Sequence, residues 1–343
     1  MPASTTTRPR SVATASGLHP RNRHRGRYDF PALLRAHPPL ARFVAPHPVE
    51  GETVNFADPA AVLALNRALL AHHYGFDRFE LPAGALCPPV PGRADYLHHL
   101  ADLLAESAPD RRPPHGPSIR VLDIGVGANC IYPLLGAREY GWRFVGADIS
   151  PASLASARRL VEAHAHAGVA DLIALRRQPD PRAVFARIAA PDETFDASLC
   201  NPPFHASPAE AAAGTTRKLR NLAAGRSHRT RGQPALNFGG QAHELWCEGG
   251  ETGFLRRMIA ESAARPKLCR WFTTLVSKSA RIPELERALA NVRAAEVRVI
   301  PMRHGEKRTR ILAWRFSTPD TSAKSRPAPS PATPAISTSP RAR

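Results

Sequence analysis

The octapeptide CNPPFHAS, residues 200–207, follows the apolar run FDASLC at 195–200. Proline has no N–H for a sheet ladder and fixes its own φ, so a strand running into Pro202-Pro203 must end there. Asn201 then stands at the strand's end, with Phe204 just beyond it. An amide, carbonyls released from the ladder and an aromatic ring are presented together. That set suits an exocyclic aromatic amine, a poor nucleophile because its lone pair is delocalised into the ring. The Asn201 side-chain oxygen and the Pro202 carbonyl can accept its two N–H hydrogens and aim the lone pair at a methyl donor. Catalysis of this kind is positioning and electrostatics rather than covalent chemistry. Phe204 offers a face for stacking a base, worth roughly 1–3 kcal/mol by analogy with single-strand binders. A base inside a duplex is out of reach, so the target must be flipped or already unpaired. Cys200 invites comparison with thiol-dependent cytosine C5 chemistry, but no Pro-Cys pair stands there, and a buried strand cysteine is the expectation.

A second constellation lies upstream. In VLDIGVGANC (121–130) two glycines follow a strand directly. Gly125 and Gly127 let the backbone turn tightly and approach a ligand closely. Asp123 ends the strand, and Asp148 ends the next one, where such acids hold ribose hydroxyls in doubly wound sheets. A dinucleotide fingerprint wants a third glycine at 130, which is Cys130 here. S-adenosylmethionine suits the loop better, since it has a ribose and an amino-acid end but no pyrophosphate.

The elements that position these residues are read from periodicity. DPAAVLALNRALLAHHY (58–74) carries an Asp N-cap, an early proline and helical apolar spacing; RADYLHHLADLLAES (93–107) predicts another helix. After the linker 109–118 the rhythm becomes strand–helix alternation. Strands are expected at 119–124, 143–149, 171–177, 195–200, 269–278, 295–302 and 309–316, with a helix over 151–167 and the last two strands forming a hairpin. Alternation by itself says α/β; a parallel sheet closing on a hairpin resembles the seven-stranded Rossmann-like sheet of the class I S-adenosylmethionine-dependent methyltransferases, here with a helical basic N-terminal region. The expected division is a disordered segment 1–17, a helical RNA-binding region 18–117, a methyltransferase domain 118–316 and a disordered proline-rich tail 317–343.

The 343 residues carry a formal charge of +18, and about half of it remains in 29–316 once both terminal segments are set aside. This points to a polyanionic partner, nucleic acid before membrane. The stretch 211–232 holds Arg217, Lys218, Arg220 and three further arginines with no acid, directly after the candidate site. It reads as a phosphate clamp. LHPRNRHRGRYDF (18–30) reads as a second RNA contact. Five scattered cysteines without a CxxC pair fit reduced thiols in a cytoplasmic protein. No run of 18 apolar residues predicts a membrane span. The 15 histidines show no HxxxH or carboxylate at ligand spacing, so no metal is expected.

With these residues in hand, the chain resembles the bacterial 23S ribosomal RNA adenine-N6 methyltransferase family, which is similar to human methyltransferase-like protein 16. The matching pieces include LHPRNRHRGRYDFPALL (18–34), LCPPVPGRADYLHHLADLL (86–104), LDIGVGANCIYPLLGAREYGWRFVGADI (122–149), CNPPFHAS and LNFGGQAHELWCEGGE (236–251). The resemblance implies methyl transfer from S-adenosylmethionine to N6 of one adenosine in 23S rRNA; free rRNA and a ribosomal precursor particle both stand as the substrate, and a monomer is favoured over an oligomer. It implies that Arg93 meets the cofactor carboxylate. Gly125, Asn129 and Asp148 would hold its backbone and ribose, Asn201 to Phe204 the adenine, and Arg21, Arg23 and Arg25 the RNA. Gln178 is the candidate for the cofactor's adenine. Two rivals remain open. One is a protein-glutamine N5 methyltransferase, which shares the Asn-Pro-Pro-aromatic site but generally has Tyr after the prolines. The other is a non-catalytic ribosome-assembly RNA-binding protein.

Overall fold

In the strand RVLDI, Leu122 and Ile124 join one buried cluster while Val121 joins another. Side chains on a strand alternate between faces, so this strand must be covered on both. The computed structural model describes residues 17–47, 51–203, 205, 207, 246–304 and 307–317. Seven strands build the main sheet: β3 (Arg120–Ile124), β4 (Arg143–Asp148), β5 (Ile173–Arg177), β6 (Phe195–Cys200), β7 (Cys269–Val276), β8 (Glu296–His304) and β9 (Lys307–Arg315). A small hairpin, β1 (Val44–His47) with β2 (Gly51–Val54), precedes them. The order in the sheet is β5-β4-β3-β6-β7-β9-β8, with β5 to β7 parallel and β9 antiparallel to both neighbours.

The helices are α1 (Phe30–Ala36), α2 (Pro59–Tyr74), α3 (Val90–Ala105), α4 (Ile131–Tyr140), α5 (Pro151–Ala163), α6 (Gly250–Ala264) and α7 (Ile282–Asn291). Asp58 caps α2 through Ala60 N, and Ser150 caps α5 through Ser153 N, as their residue types dictate. Helices α2 to α5 pack on the Val121 face of the sheet. Helices α6 and α7 pack on the Leu122 face. The α4–sheet contact is close because residue 136 is Gly: a Cβ there would stand 2.3 Å from the Phe144 ring. The helices before residue 118 share one core with the sheet, α3 lying against both α4 and β8.

The sequence-based elements shift at their ends for local reasons. Helix α3 starts at Val90, because Pro91 fits a first turn. Helix α5 stops at Ala163, and a 3₁₀ turn over Ala165–Ala167 completes the segment up to Gly168. A second 3₁₀ turn, Ala170–Leu172, occupies the expected start of β5. The hairpin strands run longer than expected, to His304 and from Lys307. Apart from Gly17 and Ser317, the segments 1–17 and 317–343 expected to be disordered lie outside the described residues.

One ion cluster ties the start of β3 to the end of β5. Glu193, 10 % exposed, meets Arg120 at 2.5 Å and Arg176 at 2.5 Å. The Arg176 hydrogen bond chiefly, helped by Arg120, holds the Glu193 carboxyl down at about 2, from an ordinary 4.5. A depressed carboxylate stabilises the fold fully above its unfolded value and loses that contribution as pH falls toward its folded one. Glu193→Gln should therefore lower the melting temperature at pH 7, and the gap to wild type should narrow between pH 4.5 and 2; parallel thermal melts across that range check it.

Candidate active site

Strand β3 sits where the strand order reverses, with β4 on one side and β6 on the other. Ligands of open α/β sheets bind beyond the carboxyl ends of the strands at such a point. The β3–β6 register sets Ile124 beside Cys200, so Gly125 and Asn201 leave the sheet as neighbours. A cavity of about 540 Å³ opens there. Its lining brings together Arg93, Gly125, Gly127, Asn129, Asp148, Gln178, Asn201 and Pro203.

The turn after β3 requires its glycines: φ is +76° at Gly125 and +65° at Gly127. The N–H groups of Gly125 and Val126 both donate to the Ala147 carbonyl at 2.9 Å, folding the loop over β4. Asp148 accepts from Gly127 N at 2.9 Å and from Ser150 N at 2.8 Å, so the acid expected to hold ribose also shapes the loop. Asn129 accepts from Ile131 N at 3.1 Å and donates to the Leu86 carbonyl at 3.2 Å, pinning the 86–89 segment to the start of α4. Both ends of the Gln178 amide serve the neighbouring loop, through the Ala186 carbonyl and Asp180 N.

Asp123 is 1 % exposed, and neither carboxyl oxygen has a hydrogen-bond partner among the described residues. Burial pushes its carboxyl well up, the Asp148 charge adds to this, and Arg93 opposes it. Arg93 donates to the Tyr132 hydroxyl at 2.7 Å with its guanidinium over that ring, while its Nε has no partner among the described residues. A buried carboxyl without a partner and a half-satisfied guanidinium thus lie close together at the site.

Asn201 follows β6 as expected, and its Oδ1 is buried without a partner among the described residues. Strand β6 is held beneath it: Thr273 donates to the Ser198 carbonyl at 2.7 Å and meets the Tyr96 hydroxyl of α3 at 2.8 Å. Pro202 is buried and Pro203 half-buried. Burial first, then the Asp123 charge, pushes the Cys200 thiol well up, which removes it as a nucleophile. Phe204 and the basic trio Arg217, Lys218 and Arg220 lie outside the described residues.

The basic arm docks instead of hanging loose. His19 N and Asn22 Nδ2 both donate to Asp95 Oδ1, at 2.7 and 3.0 Å. His19 Nε2 lies 2.8 Å from Asp102, and His24 Nε2 lies 3.0 Å from the Tyr74 hydroxyl. Arg21 is paired with Asp102 at 2.7 Å and Arg23 with Glu139 at 3.0 Å; Arg25 is exposed and reaches only the Pro20 carbonyl. His98, which bonds the Tyr140 hydroxyl at 2.7 Å, is pushed down to about 3, mainly by burial. The histidines therefore pack and clamp; among the described residues no three His, Cys, Asp or Glu are grouped to hold a metal ion.

Sequence reasoning missed Trp246, Phe254 and Arg257, and Pro181–Val184 in the loop that follows β5, all of which line the cavity. Spacing carried no signal for them. Trp246 did stand inside ELWCEGGE, a quoted stretch given no role.

The sequence profile of an RNA methyltransferase family matches residues 12–318. The chain belongs to that family. A ribosomal RNA large subunit methyltransferase F of Pseudomonas aeruginosa is 54 % identical over 303 residues, covering 88 % of this chain and 89 % of that one. The same-named protein of Yersinia pseudotuberculosis is 52 % identical over 308 residues, 90 % of each chain. Among solved structures, the human METTL16 catalytic domain in complex with the MAT2A 3′UTR hairpin 1 superposes with a TM-score of 0.72 at 29 % identity, covering 88 % of this chain and 96 % of that one. The METTL16 N-terminal domain in complex with SAH gives 0.67 at 26 % identity, over 88 % and 99 %. The sheet order is that of the class I S-adenosylmethionine-dependent methyltransferases.

S-adenosylmethionine fits the residues present. The unpartnered Asp123 carboxylate calls for a cation, Arg93 for a carboxylate, and the Gly125–Asp148 turn for a ribose. A buried unpaired carboxyl burdens the empty fold, since its charged form is desolvated. Asp123→Asn should therefore raise the melting temperature of the cofactor-free protein at pH 7 while weakening S-adenosylhomocysteine binding about tenfold; calorimetric titration and thermal shift measure the two opposite effects.

Proposed function

We propose that the protein transfers the methyl group of S-adenosylmethionine to N6 of one adenosine in 23S rRNA. The observation that carries this reading is Asn201 Oδ1, a buried acceptor beside the glycine turn with no partner among the described residues. In a chain of an RNA methyltransferase family, an N6 amine is the donor that suits it. When bound, the cofactor supplies a methyl on a positive sulfur, already bearing a good leaving group. Asn201 Oδ1 and the Pro202 carbonyl accept the two amine hydrogens and fix the lone pair's direction. Pro202 and Pro203 hold those acceptors at the strand end at no further conformational cost. Phe204 stacks on the base. Arg93 and Asp123 fix the amino-acid end of the cofactor; Gly125, Gly127, Asn129 and Asp148 fix its middle.

RNA reaches the site along a basic surface. Arg25, exposed on the docked arm, leads among the three arm arginines, while Arg21 and Arg23 orient the arm through Asp102 and Glu139. Arg217, Lys218 and Arg220 clamp phosphates beside the site. The division at about residue 117 is one of emphasis: residues 18–117 bind RNA and lend Arg93 to the cofactor, while residues 118–316 carry the rest of the chemistry and the phosphate clamp. No helix among the described residues is long and apolar enough to cross a membrane. The reading places the enzyme in the cytoplasm as a monomer acting on rRNA or a precursor particle.

Mass mapping of 23S rRNA nucleosides from cells with and without the gene should show one N6-methyladenosine lost and restored on complementation. Labelling of a release factor instead would move the substrate to glutamine. Asn201→Ala should abolish turnover yet leave cofactor affinity within about tenfold, because the residue acts on the acceptor; single-turnover assays beside calorimetry separate the two. Replacing Arg217, Lys218 and Arg220 by Ala should weaken RNA binding and flatten its salt dependence by about three counterions, read from affinity against log salt.

A further inference from the structure

The geometry points to Trp246 as a base-reading residue: its indole N–H donates to a ring nitrogen of the target adenine, next to the N6 amine that Asn201 accepts. The inference rests on the acceptor chemistry proposed above and extends it to how the base is chosen.

Four tryptophans are present in the chain. Trp142 donates to the Pro114 carbonyl at 2.8 Å, and Trp314 to Ser262 Oγ at 2.9 Å. Trp271 lies in the core, 1 % exposed, flanked by the Arg298 and Arg315 guanidiniums. Trp271 Nε1 is likewise buried without a partner among the described residues, but Trp271 does not line the cavity; of the four tryptophans Trp246 alone does. It lines the cavity with Asn201 and Pro203, and its Nε1 is buried with no acceptor among the described residues. Buried donors rarely go unpaired. One that belongs to the wall of a ligand cavity marks where the ligand's acceptor belongs.

Its backbone is fixed to the reacting segment. Trp246 bridges His205 in a parallel pair, and Cys247 N donates to the His205 carbonyl at 3.1 Å. Gly250 N closes a turn onto the Cys247 carbonyl at 2.9 Å. Beyond the turn Glu251, 0 % exposed, accepts from Ser277 N and Ser277 Oγ, both at 2.8 Å, and pairs with Arg281. The indole thus stands on a shelf anchored at one end beside Asn201 and at the other beyond β7.

Beside the end of β6 the cavity wall therefore offers an unused acceptor, Asn201 Oδ1, and an unused donor, Trp246 Nε1; the other unpaired donor of the lining, Arg93 Nε, belongs to the cofactor side proposed above. Adenine answers both on one edge, since its N6 amine donates and the flanking ring nitrogen accepts. Guanine presents an oxygen where adenine has the amine, and would leave Asn201 facing another acceptor. A site built to hydrogen-bond one edge rejects bases lacking it because its own groups stay unpaired.

The test uses 23S rRNA carrying adenine, 1-deazaadenine or 7-deazaadenine at the mapped position, introduced by ligating a synthetic oligonucleotide. Trp246→Phe keeps one aromatic ring and deletes the donor together with the five-membered ring that carries it. It should lower kcat/KM on the adenine substrate about five- to tenfold and leave S-adenosylhomocysteine affinity unchanged. On one of the two deaza bases wild type should lose the same factor, with no further loss in the variant. Equal rates for wild type and variant on adenine overturn the inference, as does an undiminished variant defect on both deaza bases or a matching fall in cofactor affinity. If the variant does not fold, the wild-type enzyme decides alone: equal rates on all three bases overturn the assignment. No turnover by wild type on adenine rejects the acceptor chemistry itself, and this inference with it.

Discussion

Strands β3 and β6 are neighbours in space but far apart in the chain, and their parallel pairing sets Ile124 beside Cys200. A glycine turn and a proline-terminated strand end thereby become two walls of one cavity. Neither motif holds a methyl donor and an acceptor alone. The pairing itself depends on both faces of the sheet being covered, by α3 and α4 on one side and α6 on the other. The site is thus a consequence of the doubly covered sheet, with few residues added to it.

Electrostatics completes what topology begins. Asp123 and Arg93 sit under the cavity floor with unmet bonding capacity, and Asn201 and Trp246 stand in its wall in the same condition. Each such group destabilises the empty protein by about 1–3 kcal/mol relative to a satisfied one. Binding relieves that cost, so affinity and selectivity draw on strain the fold already carries. Burial keeps the nearby Cys200 thiol protonated, so it is no nucleophile in this site.

The seven strands of the main sheet were legible in the sequence because each is a short apolar run between turn residues; the β1–β2 hairpin, within a stretch read as helical, was not, since its largely exposed VAPH and GETV carry no apolar run. The two motifs were legible because their chemistry is backbone chemistry: glycine permits the turn, proline stops the strand. Side chains whose role depends on tertiary placement were not. Resemblance points Arg21 and Arg23 to RNA; that Asp102 and Glu139 also meet them depends on α3 and α4 lying side by side, which no local pattern gives. Gln178 read as a candidate for the cofactor's adenine, while both ends of its amide hold a loop. Trp246 reaches the cavity only through its pairing with His205, which no local pattern announces.

The place of β9 bears on how the chain is made. It is the last strand in the sequence, yet it lies between β7 and β8. During synthesis from the amino terminus, β7 keeps an open hydrogen-bonding edge and β8 has no partner in the sheet until residues 307–315 leave the ribosomal tunnel. An open edge beside the apolar face of Phe272 and Val276 invites pairing with other chains. A chain cut short before Lys307 would therefore lack the wedge that seals its sheet and would be prone to aggregate, even with every residue of the cavity wall intact.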